Sequence, residues 1–192
     1  MNNTPNHLTP PVVPPVQGIE NRGNPTRGRV VAFDPAPYPE VPVGNSDPAT
    51  VAMLKQDYAG SDGELTAITQ YIFQNTVTKD PSFANALLQI AIVEMTHLDM
   101  LGDAIEALGG NPRFDDGKYF WNASFVDYAM DKEAMLASNI KSEKSAIETY
   151  EKHAEQTQNP HVRALLLRIA DDERLHLKFF EQELAQIASA RV

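Results

Sequence analysis

Glu94-Met95-Thr96-His97 is echoed 79 positions later by Glu173-Arg174-Leu175-His176. On a helix, a carboxylate and an imidazole three residues apart lie about 60° apart on one face, so both can reach one metal ion. A single Glu-x-x-His is weakly specific, but here the surroundings repeat as well. At the same offset Glu64, Ala67, Ile68 and Tyr71 fall on Glu143, Ala146, Ile147 and Tyr150. Pro81 falls on Pro160, Leu87-Leu88 on Leu166-Leu167, and Ile90-Ala91 on Ile169-Ala170. The chain therefore reads as two helical hairpins of one design. Each carries a Glu on its first helix and a Glu-x-x-His on its second.

One Glu from each of two helices, with Glu-x-x-His from each of the other two, is the donor set of a dinuclear four-helix bundle. From Glu64 the chain runs to a turn at Asp80-Pro81 and back to Glu94. Both legs are roughly 20 Å long at the helical rise, so the carboxylates return to one level. The second hairpin, turning at Asn159-Pro160, closes at the same height. Glu64, Glu94, His97, Glu143, Glu173 and His176 are thus the candidate metal ligands. Carboxylate and imidazole without thiolate favour two Mn ions, or two Fe ions, over soft-ligand metals.

Helices are expected over about 48–78, 81–109, 127–157 and 160–189, the first with a break at Gly60-Ser61-Asp62-Gly63. In the second, Leu87, Ile90, Ala91, Leu98, Leu101 and Ile105 share a stripe with Glu94 and His97 at its centre. A solvated charge belongs on the opposite face, and a buried carboxylate without a partner costs several kcal/mol. Glu148 points roughly 140° from Glu143 and reads as solvent-facing. Tyr71 and Tyr150, two turns beyond their glutamates, are placed to bond a ligand carboxylate or to pass electrons, or else to pack. Asp172, where the first copy has Val93, reads as the partner of a ligand imidazole, His97. His153 and His161 read as surface residues, and His7 lies off the pattern.

Cysteine is absent, which excludes disulfides, thiolate sites and iron–sulfur clusters within this chain. A net charge of -10 leaves no basic surface for nucleic acid. No apolar run approaches membrane-spanning length, and the N-terminus lacks a basic segment followed by an apolar one. The expected location is therefore cytoplasmic. Eleven of the fourteen prolines precede residue 49, a density that blocks helix and favours extended chain. Such a segment reads as a disordered tail, or as an arm across a neighbouring subunit, for which Val30, Val31, Ala32, Phe33 and Tyr38 supply apolar contacts. Between the hairpins, residues 110–126 form a long crossover whose aromatics (Phe114, Tyr119, Phe120, Trp121, Phe125) are expected to cover the bundle.

These motifs resemble those of the ferritin-like superfamily over about residues 60–188. Gly63-Glu-Leu-Thr-Ala-Ile-Thr-Gln-Tyr71 is similar to a first-helix signature of bacterioferritins and manganese catalases, and both Glu-x-x-His segments are similar to their second- and fourth-helix motifs. The resemblance implies an all-α, ferritin-like four-helix bundle over residues 50–192 behind a proline-rich arm over 1–49. It also implies a homo-oligomer with the arm at subunit contacts, acting on hydrogen peroxide or O2. In rubrerythrins, peroxide reduction draws electrons from a cysteine-bound module that this chain cannot build. Manganese catalases dismutate hydrogen peroxide without a reductant and are the preferred relatives. On their pattern Glu173 is an acid/base, with Tyr71, Tyr150 and Asp172 as further catalytic candidates. The alternatives are a ferroxidase, in which Glu173 ligates metal, and a structural coat or cargo component with a retained site. Met95 stands where bacterioferritins hold haem, although a lone Met more often packs.

Overall fold

The computed structural model describes residues 32–190, and residues 1–31, including His7 and most of the arm, lie outside it. Five α-helices follow in order: α1 (Pro48–Ala59), α2 (Glu64–Val77), α3 (Pro81–Ala107), α4 (Lys132–Gln156) and α5 (Pro160–Ser189). The hairpins α2/α3 and α4/α5 make the four-helix bundle, and α1 packs against α3, α2 and α4.

Local chemistry sets the boundaries. Asp47 accepts from Thr50 N (3.1 Å) ahead of Pro48, Asp80 from Ser82 N (2.9 Å) ahead of Pro81, and Asn159 from His161 N (3.0 Å) ahead of Pro160. Each pairs a side-chain cap with a proline whose missing N–H is not needed there. The break anticipated at Gly60 to Gly63 separates α1 from α2. A Cβ on Gly60 would sit 2.4 Å from the Gln56 carbonyl oxygen, and one on Gly63 would sit 2.6 Å from that of Asp57, so the chain passes from α1 to α2 there only without side chains.

The helix expected from about 127 begins at Lys132 instead. Asp127 N donates to Gln70 Oε1 (2.9 Å), and Asp131 caps the helix through Ala134 N (2.9 Å), so the intervening chain is held extended. The crossover covers the bundle only in part. Trp121 Nε1 donates to Thr66 Oγ1 (2.9 Å) and Phe114 stacks on Tyr58, but Tyr119 and Phe120 are 73% and 67% exposed. Met95 is 44% exposed on α3.

The apolar core falls into two clusters. Leu54, Leu101, Ile105, Leu165 and Ile169 fill one end of the bundle, and Phe83, Leu87, Ile90, Leu136 and Phe180 fill the other. Glu94 lies between the two groups along α3, and Glu173 does so along α5. Among the described residues no helix is long and apolar enough to cross a membrane.

His153, expected at the surface, is buried. Its Nδ1 lies 2.8 Å from Asp57 Oδ1, because α1 packs against this end of α4 and a helix end that looks polar in sequence becomes interior. Asp57→Ala strands that imidazole. The expected cost is about 1–3 kcal/mol in urea unfolding of the metal-free chain, while His161→Ala, on an exposed side chain, should stay within ~0.5 kcal/mol. Equal losses would contradict the pairing.

Candidate metal centre

The bundle brings all six sequence-chosen donors together, and every one is buried. Glu64, Glu94, His97 and Glu173 offer donor atoms within 4.8 Å of one another, and so do Glu94, Glu143, Glu173 and His176. Glu94 and Glu173 belong to both groups. Glu94 places Oε2 2.9 Å from His97 Nδ1 and Oε1 3.1 Å from His176 Nδ1. Glu173 mirrors it, with Oε1 3.2 Å from His97 Nδ1 and Oε2 2.9 Å from His176 Nδ1. Glu148 is exposed.

The tyrosines act across the hairpins. Tyr71 of α2 donates to Glu143 of α4, and Tyr150 of α4 donates to Glu64 of α2. This exchange is not visible in the repeat, where each tyrosine stands beside its own glutamate.

The far ring nitrogens fix the tautomers. His97 Nε2 lies 3.0 Å from Asp172 Oδ2, and His176 Nε2 donates to the Ala32 carbonyl at 2.6 Å. With Nε2 donating to these acceptors, each Nδ1 points at the carboxylates, where a metal ion would take the place of its proton. Asp172 is itself held by Arg168 (2.8 Å), Tyr38 Oη (2.5 Å) and Asp34 N (2.6 Å). Sequence reading missed Arg168, Asp34 and the Ala32 carbonyl. Part of the signal was present, since Arg168 and Asp172 replace Gln89 and Val93 of the first copy. In the described part of the arm, residues 32–38 lie on α5, and Gly44 N and Asp47 N donate to the Ala107 and Leu108 carbonyls at the end of α3.

The electrostatics call for cations. Among the described residues, the ion pairs of the four glutamates are all with these two imidazoles. Burial, then the Glu94 carboxylate, pushes Glu64 up to about 8, and burial with Glu173 raises Glu143 well above the usual range. Burial also opposes the ionised form of Glu173, but its bonds to His176 and His97 outweigh that and hold it low. Burial disfavours the imidazolium forms too, yet Glu64 beside His97 and Glu94 beside His176 raise both histidines. Four carboxylates and two neutral imidazoles match two divalent ions in charge and in hardness, and the cluster can hold a pair of Mn or Fe ions. Such uptake must displace the proton on Glu64, so binding should weaken as pH falls below about 8. Calorimetry in two buffers of different ionisation enthalpy counts the released protons, and a count of zero would contradict the assignment.

Paired hairpins with a long crossover, closing on a buried carboxylate and imidazole cluster, define a ferritin-like di-metal carboxylate bundle. The rubrerythrin family model matches residues 59–184, and the chain belongs to that family. A probable manganese catalase of Clostridium acetobutylicum is 24% identical over 170 residues, covering 77% of this chain and 76% of its own. The structure is also similar to that of KatB, a manganese catalase from Anabaena, with a TM-score of 0.74 and 26% identity over 81% of this chain and 80% of that one. The bacterioferritin of Rhodobacter capsulatus shares the fold, with a TM-score of 0.66 and 19% identity over 76% and 89% of the two chains.

Proposed function

We propose that this chain is a di-metal oxidoreductase that disproportionates hydrogen peroxide, oxidising one molecule to O2 while reducing another to water. The observation that carries this reading is the way into the site. A narrow cleft between α2 and α4 reaches Glu64, Glu94, Glu143 and Glu173 past Gly63, Ala67, Ser142 and Ala146. Small side chains at these repeat-related positions leave a passage suited to a molecule of peroxide or O2 size. Likeness to two manganese catalases over about three quarters of each chain supports the same chemistry.

Glu64, Glu94, His97, Glu143 and His176 would hold two manganese ions, which when bound supply a two-electron couple with no outside reductant. Tyr71 and Tyr150 orient the glutamates Glu143 and Glu64 by donating to them. Glu173 lines the cleft and lies between both imidazoles. In this reading it takes protons from peroxide and returns them to the product water. Ala67 and Ala146 add no polar group of their own to the passage.

A second reading, ferroxidase activity on Fe(II), is favoured by one feature: Glu173 stands toward the imidazoles as Glu94 does, which is the placement of a ligand. Oxygen release from peroxide by the Mn-loaded protein, without reductant, tests the first reading, and Fe(II)-dependent oxygen consumption without such release would replace it with the second. Glu173→Gln divides them further. A proton carrier leaves two ions bound and turnover lost by about 10²–10⁴-fold, whereas a ligand loses an ion.

A further inference from the structure

Residues 32–38 make contacts that neither the bundle nor the repeat requires. Arg168 Nε donates to the Ala36 carbonyl (3.0 Å), Arg168 Nη2 donates to the Asp34 carbonyl, and the guanidinium lies 4.2 Å over the Tyr38 ring. Asp34 N and Tyr38 Oη occupy the two oxygens of Asp172, and Tyr38 meets the His97 ring edge-on. The same short segment delivers the Ala32 carbonyl to His176. Arg168 and Asp172, both buried, stand where the first copy has Gln89 and Val93.

We propose that residues 32–38, clamped by Arg168, are part of the metal centre: they position both ligand imidazoles and make the two ion positions unequal. The proposal rests on the reading of the six donors as a dinuclear site. His97 is backed by a carboxylate that accepts from Asp34 N and Tyr38 Oη and pairs with the Arg168 guanidinium, and His176 by a neutral carbonyl. A carboxylate behind an imidazole raises its basicity more than a carbonyl does, and loss of such a partner typically costs about 10–100-fold in metal affinity. The position beside His97 therefore fills first. Arg168, Tyr38 and Asp34 act through Asp172 and touch no ion, so they are positioning residues.

Titration of Mn(II) into the metal-free chain, followed by calorimetry, tests this. The wild-type chain should show two binding constants about tenfold or more apart. Tyr38→Phe removes one of the bonds that aim Asp172 at His97 and should weaken the tighter constant severalfold, leaving the weaker one unchanged. Arg168→Ala releases the Asp34 and Ala36 carbonyls, and with them Ala32, and should weaken both. Tyr38 is half-buried at the periphery, so if Arg168→Ala does not fold, Tyr38→Phe decides alone. Equal wild-type constants, or a Tyr38→Phe titration that matches wild type or loses both constants equally, would overturn the proposal. A wild-type chain that takes up no Mn(II) would instead remove the metal-centre reading itself, and this inference with it.

Discussion

Glu94→Ala is expected to abolish the metal pair altogether. Glu94 is one of two carboxylates within reach of both donor groups, with one oxygen near each imidazole. On the proposed dinuclear reading, its removal takes a ligand from both ions at once and leaves the remaining carboxylates with less charge to hold two cations. Metal content per chain after loading with Mn(II) and desalting should fall from two to less than one, and any peroxide-dependent oxygen release should vanish. Glu148→Ala, one helix away and exposed, should retain both ions. Equal loss in the two variants would mean that the helix faces are assigned wrongly.

Phe180→Ala should cost about 3–5 kcal/mol of stability. Phe180 is fully buried on α5, with its ring 5.6 Å from that of Tyr71 and 5.5 Å from that of Phe179. Truncation leaves a cavity beneath the tyrosine that holds Glu143, so the site should loosen together with the core. Urea unfolding of the metal-free chain measures the first effect, and metal retention of the folded variant measures the second. Met95→Ala, exposed on α3, should change stability by no more than ~0.5 kcal/mol. A Phe180→Ala chain as stable as wild type would show that this end of the bundle is not packed as described.

The six donors were legible because metal binding imposes a rule on sequence. Charged residues at the centre of an apolar stripe, repeated in both hairpins, have no cheaper explanation than a shared buried partner. His153 was misread for the converse reason. Its neighbours Glu151, Lys152 and Glu155 mark a polar helix end, and nothing local reveals that Asp57 of α1 folds over it. The start of α4 was placed early because the bond from Asp127 to Gln70 joins segments 57 residues apart.

What the chain specifies locally is therefore the periodicity, the capped prolines, the duplicated hairpin and the identity of the candidate donors. Each depends on side chains within a turn or two of one another, where 3.6-residue geometry makes spacing equivalent to position. Tertiary structure alone decides how these parts meet. It exchanges Tyr71 and Tyr150 between hairpins, places a narrow cleft between α2 and α4, and lays residues 32–38 against Asp172 and His176. These contacts join segments up to 144 residues apart. They depend on how whole helices pack and on where an irregular segment comes to rest, and no local spacing encodes either.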